Sequence, residues 1–253
     1  MPPTKKSKYK PINFYELKDV KKNCNKPHNP EYKNHHIDLH FNALIIGATG
    51  SGKTQTLMNL IFMFKKTFHK IHIFTQKEEP LYTFLLNKLH PDLISVHYGI
   101  DEYLHHDEGN FFGNSLVIFD DMVKEGKKKQ AEIESHFLRG RKISSVTNKG
   151  YGCSTIYLSQ SFFETPKFIR QNCSLVFVIQ LPSKTDIDRF IKEYSRGDEH
   201  KSTYANMYDY CCIGSDFGEF LLIDTKAKTK DKLYRRNYDE YLDLKDFTNA
   251  NYL

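Results

Sequence analysis

The chain has 253 residues, 39% of them hydrophobic and 27% charged, with a formal charge of +6. It is long enough to bury a substantial core and too hydrophobic for a disordered protein, so one α/β domain with extensions is expected. No apolar run approaches the roughly 18 residues of a membrane span. The five cysteines include no C-x-x-C pair, and His35–His36 and His105–His106 are adjacent rather than at ligand spacing, which argues against zinc and for a reducing compartment.

Residues 1 to about 36 are rich in Lys, Pro, Asn and His and show no period. They read as a mobile basic arm with a short ordered piece around Ile12–Leu17, and the core starts near Ile37. Ala43–Ile46 is a short apolar run that stops at Gly47 and passes through a glycine-rich loop. Beyond it Leu57, Leu60, Ile61 and Phe64 recur at helical spacing, which predicts a helix from Lys53 to about Lys66. Ile71–Phe74 is a second strand. Pro80 then opens a helix with Leu81, Phe84, Leu85 and Leu89 on its buried side. Leu93–His97 reads as a strand, 101–106 as a helix and 108–114 as a turn.

After Ser115, the four apolar residues Leu116–Phe119 end in Asp120 and Asp121, the pattern of a central parallel strand whose carboxyl end lines a site. A helix over Gln130–Arg141, a polar connection over 142–152 and a buried strand over Cys153–Leu158 follow. That strand exits through Ser159, Gln160 and Ser161. Pro166–Asn172 is a short helix, Leu175–Ile179 a strand and Ile187–Tyr194 a helix. The last part holds an apolar run, Phe220–Ile223, a basic segment from Lys226 to Arg236, and Tyr238–Phe247. The basic blocks at the start of the chain, at Lys124–Lys129 and at Lys226–Arg236 are either solvated surface or contacts to a polyanion. Strands alternating with helices predict a mainly parallel sheet covered on both faces.

The chemistry concentrates at the first loop. Gly47, Gly52, Lys53 and Thr54 spell G-x-x-x-x-G-K-[ST] between a buried strand and a helix. In such a P-loop, backbone N–H groups converge on phosphate oxygens and the glycines allow close approach. Ala48, Thr49, Gly50, Ser51 and Gln55 complete the cradle. Lys53 would reach the β/γ-phosphates and the Thr54 hydroxyl would ligate Mg²⁺. Asp120 is the expected metal-holding acid. Asp121 could orient or deprotonate the attacking water, and Gln160 could report the γ-phosphate from the next strand. That additional strand fits the additional-strand class of P-loop ATPases with a RecA-like sheet. A GTPase would need Asn-Lys-x-Asp, whereas the chain offers Asn148-Lys149-Gly150-Tyr151. Arg139, Arg141, Arg170 and Arg189 are the candidates to neutralise transition-state charge, with Arg141 and then Arg170 preferred.

The order GATGSGKT (47–54), LVIFDD (116–121), FLRGRK (137–142), STIYLSQS (154–161) and PKFIRQN (166–172) resembles the genome-packaging ATPases of large double-stranded DNA viruses. These form the poxvirus- and iridovirus-like branch of the FtsK/HerA superfamily. FLLID (220–224) and YRRNYD (234–239) look similar too, and the resemblance spans about Ile37 to Asp239. It implies an ATP- and Mg²⁺-dependent motor, working as a homo-oligomeric ring, that threads double-stranded DNA into a capsid. Capsid or portal-vertex proteins are its implied partners, and the host cytoplasm, at the viral factory, and the virion its implied locations. Carried over by motif, Asp121 stands where the wider superfamily usually has Glu, and Gln160 is the sensor glutamine. Arg141 falls in a segment the viral branch often writes Gly-Arg-His, with Lys142 here replacing the His. A nucleotide-gated scaffold and a phosphotransferase that needs no nucleic acid are the alternatives the residues leave open.

Overall fold

The computed structural model describes residues 12–21, 27–100, 113–140, 152–195 and 201–248. Their strands are β1 (Asn42–Ile46), β2 (Lys70–Thr75), β3 (Ile94–Tyr98), β4 (Ser115–Asp120), β5 (Cys153–Ser159), β6 (Leu175–Val178), β7 (Leu221–Asp224), β8 (Tyr234–Arg236) and β9 (Glu240–Tyr241). They form one sheet in the order β3-β2-β4-β5-β1-β6-β7-β8-β9. The first six strands of that order are mutually parallel, and β7 to β9 add antiparallel to β6 and to one another. β5 lies between β1 and β4, which is the inserted strand that the motif order led us to expect.

The helices are α1 (Lys18–Lys21), α2 (Tyr32–His35), α3 (Lys53–Met63), α4 (Pro80–Lys88), α5 (Lys127–Arg139), α6 (Lys167–Asn172), α7 (Lys184–Tyr194) and α8 (Lys201–Cys212). Strand side chains alternate between two apolar layers. Ala43, Ile45, Ile118 and Phe177 face Leu57, Leu60 and Ile61 of α3 and Leu85 of α4. Leu44, Ile46, Phe119 and Val178 face Phe137 of α5, Ile169 of α6, Phe190 of α7 and Tyr208 of α8. The parallel strands are apolar on both sides because both sides are covered.

Three departures from the sequence expectation stand out. In α4 it is Tyr82, 2% exposed, that points into the core with Leu85, whereas Phe84 is 44% exposed. Helix α8 falls where no element was expected. The basic segment 226–236 is partly structural: Arg235 lies in β8 at 1% exposure, and donates to the carbonyl oxygens of His35 and Tyr238 and to Asp224. Lys226, Lys228 and Lys232 of the same segment line a cavity of about 480 Å³ with His36 and Asp38. Near the start of the chain, His35 is buried against the Phe64 ring with centroids 4.2 Å apart, so α2 packs on the end of α3. The helix expected over 101–106 and most of the turn over 108–114 lie outside the described residues, as does nearly all of the connection at 142–152.

Candidate nucleotide site

Four neighbouring parallel strands end together. Ile46 of β1 is in register with Ser159 of β5 and Val178 of β6, and Asp120 of β4 is in register with Leu158. The loops that leave these ends therefore meet at one carboxyl edge, where open α/β sheets hold their ligands.

The loop after β1 is shaped by glycine. A Cβ on Gly47 would sit 2.5 Å from Ser51 Oγ and 3.0 Å from Ile179 Cβ, so only glycine fits there. The Ala48 N–H donates to the Gln180 carbonyl at 2.7 Å, which ties the loop to the strand beside it. Gly52 caps α3 in the left-handed region (φ 98°) and provides no side-chain acceptor. The first-turn donors of α3 are thus left for an external anion, and Thr54 and Gln55 lie within that turn. Lys53 folds back over the loop, with Nζ 2.9 Å from the carbonyl oxygens of both Gly47 and Ala48. Burial lowers its pKa, and Asp120 and Asp121 oppose that effect. A half-buried ammonium between loop carbonyls and two carboxylates is poised to exchange those carbonyls for phosphate oxygens.

The acids at the end of β4 separate. Asp120 accepts a 2.6 Å hydrogen bond from the Tyr82 hydroxyl. Burial raises its pKa; Tyr82 and Lys53 pull it back down, and Asp121 pushes it up. Asp121 adopts a left-handed conformation (φ 55°, ψ 37°), which Asp tolerates better than most residues and which ends the strand. Its Oδ2 accepts from Gln160 Nε2 at 3.2 Å, and Gln160 Oε1 accepts from Thr49 Oγ1 at 2.8 Å. The phosphate loop, the strand end at Gln160 and the acid at 121 are therefore joined in one chain of hydrogen bonds.

Among the described residues no group of three or more His, Cys, Asp or Glu is gathered to hold a metal. One hydroxyl and one carboxylate suit Mg²⁺, which keeps water and takes phosphate oxygens for the rest of its shell. Thr54 and Asp120 are the donors that would hold it, and the hydrogen bond from Tyr82 fixes the orientation of the Asp120 carboxylate. Sequence reasoning missed Tyr82, although its place two residues after Pro80, in the first turn of the helix that leaves the carboxyl edge after β2, was a usable signal.

The arginines divide. Arg170 donates from Nη1 to the Phe162 and Thr165 carbonyl oxygens at 2.7 and 3.0 Å and pairs through Nε with Glu193 at 3.3 Å. Its guanidinium is thus engaged by groups of its own chain, around the segment that follows β5. Arg189 lies over the Phe163 ring at 3.8 Å, and Arg139 is exposed at the end of α5. Arg141 lies outside the described residues.

An inserted strand between the P-loop strand and the acid-bearing strand, with lysine, acids and glutamine gathered at their ends, defines an additional-strand P-loop ATPase. A sequence profile of the Poxvirus A32 protein family matches residues 31–209, and the chain belongs to that family. The resemblance of its motifs to viral genome-packaging ATPases holds on this finding. No curated protein matches the chain. Among solved structures it is similar to the genome packaging NTPase B204 from Sulfolobus turreted icosahedral virus 2 in complex with AMPPCP, at a TM-score of 0.53 and 15% identity over 79% of this chain and 98% of that one. EssC (ATPases 2 and 3) from Geobacillus thermodenitrificans gives 0.52 and 14% identity over 82% of this chain and 42% of that one. At such identities the likeness is one of fold.

Proposed function

We propose that this chain is the ATP-hydrolysing motor that drives double-stranded DNA into a viral capsid, working as a homo-oligomeric ring at a capsid or portal vertex. The observation that carries the reading is the hydrogen-bonded chain Thr49–Gln160–Asp121 beside Lys53. Backbone groups of Gly47–Gln55 hold the triphosphate, and Lys53 reaches its β/γ oxygens. Thr54 and Asp120 would hold Mg²⁺, whose charge would offset that of the phosphate oxygens. Asp121 orients the attacking water. Gln160, now shared between Thr49 and Asp121, gains a competing acceptor when a γ-phosphate arrives and loses it on hydrolysis, which is what a sensor requires. Arg170 is occupied within its own subunit, so the finger role passes to Arg141, acting on a neighbouring subunit. The FtsK/HerA affiliation and the place of action, at the viral factory and in the virion, complete this reading.

The test is ATP turnover by the purified chain with and without linear double-stranded DNA across a salt series. Hydrolysis should rise with DNA at low salt, lose that stimulation as salt is added, and disappear in Lys53→Ala. Turnover indifferent to DNA at every salt concentration would remove the motor, and ATP binding without turnover would favour a nucleotide-gated scaffold.

A further inference from the structure

The turn between α8 and β7 lies outside every motif used so far. β7 runs antiparallel to β6 with Leu221 opposite Val178, so the turn that precedes it sits at the carboxyl edge, on the β6 side of the phosphate loop. It is pressed onto the start of α3. Thr56 Oγ1 donates to the Gly218 carbonyl at 3.1 Å. A Cβ on Gly52 would stand 3.0 Å from Gly218 Cα and 3.4 Å from Phe217 Cε2, and one on Gly218 would stand 3.5 Å from Gln55 Cγ. A side chain on Gly52 would press on the Gly218 backbone, and both glycines have a positive φ that L side chains rarely adopt.

The turn is also braced. Asp216 N–H donates to Glu219 Oε2 at 3.0 Å, and the Glu219 carboxylate takes further hydrogen bonds from Arg236 at 2.8 Å and Asn237 at 3.0 Å. On this fixed support Phe217 is 71% exposed, a large apolar ring held open to solvent beside a phosphate cradle.

The cradle dictates where the rest of a nucleotide goes. With the γ-phosphate end facing Gln160 and Asp121, the α-phosphate end rests on the first turn of α3. The sugar and base then leave past Thr54 and Gln55, the side on which Gly218 and Phe217 stand. We infer that Phe217 is the platform on which the nucleobase of the bound triphosphate stacks. This rests on the phosphate assignment proposed above and adds the contact that assignment lacks. Aromatic rings stack on nucleobases in offset, face-to-face fashion, and every base has a π-face to give. Phe217 therefore supplies affinity for a base without choosing between purines.

The chain contains no tryptophan, so Phe217→Trp introduces a single indole reporter. ATP and ADP should quench its emission. Inorganic tripolyphosphate, which has no base, should raise the melting temperature of the same variant and leave the emission unchanged. In Phe217→Ala the Kd for ATP should rise about tenfold while protection by tripolyphosphate stays at the wild-type level, and Phe217→Tyr should restore ATP affinity. Retained tripolyphosphate protection also shows that each variant is folded. If ATP protects the tryptophan variant yet does not move its emission, and Phe217→Ala binds ATP as the parent does, the stacking role is overturned and the phosphate site stands. If neither ATP nor tripolyphosphate protects the unmodified chain, the phosphate site itself is lost, and the stacking role with it.

Discussion

At 2.6 Å, the hydroxyl of Tyr82 makes a tight contact with Asp120, the acid proposed to hold Mg²⁺. Burial and the adjacent carboxylate push the phenol's pKa up, so it donates throughout the working pH range. Donation stabilises the carboxylate over the carboxylic acid, against the burial that favours the acid. Tyr82→Phe keeps the ring in the core and removes only that bond. The Mg²⁺ concentration for half-maximal hydrolysis should rise about tenfold, with melting temperature close to that of the parent. The sign of the pH effect follows. Without the donor Asp120 protonates more readily, so the acid limb of the activity profile should move to higher pH. A Mg²⁺ titration at several pH values checks both, and an unchanged titration would reduce Tyr82 to a packing residue. At this scale the chain was legible where chemistry demands a residue type, as at Lys53, Asp120 and Gln160. Tyr82 was not, because an aromatic at a helical position looks the same in sequence whether its hydroxyl meets water or a carboxylate.

Elements show the same division. The strands β1, β4, β5 and β6 and the helix α3 were readable because they are runs of branched apolar residues, or Leu and Ile at helical spacing. α8 was not, since its buried face is Thr203, Tyr204, Met207, Tyr208, Cys211 and Cys212. The spacing is helical, but tyrosine, threonine and cysteine are weak helix formers that gain their place by packing. In α4, Leu81, Leu85 and Leu89 face the core as expected and Phe84 alone departs, for a related reason. Spacing leaves open whether Tyr82 or Phe84 flanks Leu81 and Leu85, and packing on the sheet turned Tyr82 inward. The basic segment 226–236 divided once β8 paired with β7 and turned Arg235 inward. Arg235→Ala should therefore cost about 3 kcal/mol of stability, because Asp224 and two backbone carbonyls lose a buried cation. Chemical denaturation measures this, and a change near zero would return Arg235 to the solvated class.

For the whole molecule, the ring proposed above requires that one subunit complete the site of another. Arg170 is tied to Glu193 and to backbone of its own chain, so the proposed finger is Arg141 acting across an interface. Arg141→Ala and Asp121→Asn should each be inactive alone, and mixing them should recover activity, because some interfaces then pair an intact arginine with an intact acid. Assays over a range of mixing ratios measure this, and no recovery from oligomers that remain intact would place the arginine in cis. The sequence by itself determined the glycine- and lysine-bearing loop, the adjacent acids at 120 and 121, the strand-end amide at 160 and the alternation that makes a parallel sheet. Those are consequences of local spacing, backbone geometry and the charge a phosphate requires. Only the tertiary structure decided that Gln160 joins Thr49 to Asp121, that Tyr82 supports Asp120, and that Phe217 stands beside Gly52. Each of these joins residues far apart in the chain, and their distances exist only once β2 and β5 flank β4, β5 lies beside β1, and β7 folds back beside β6.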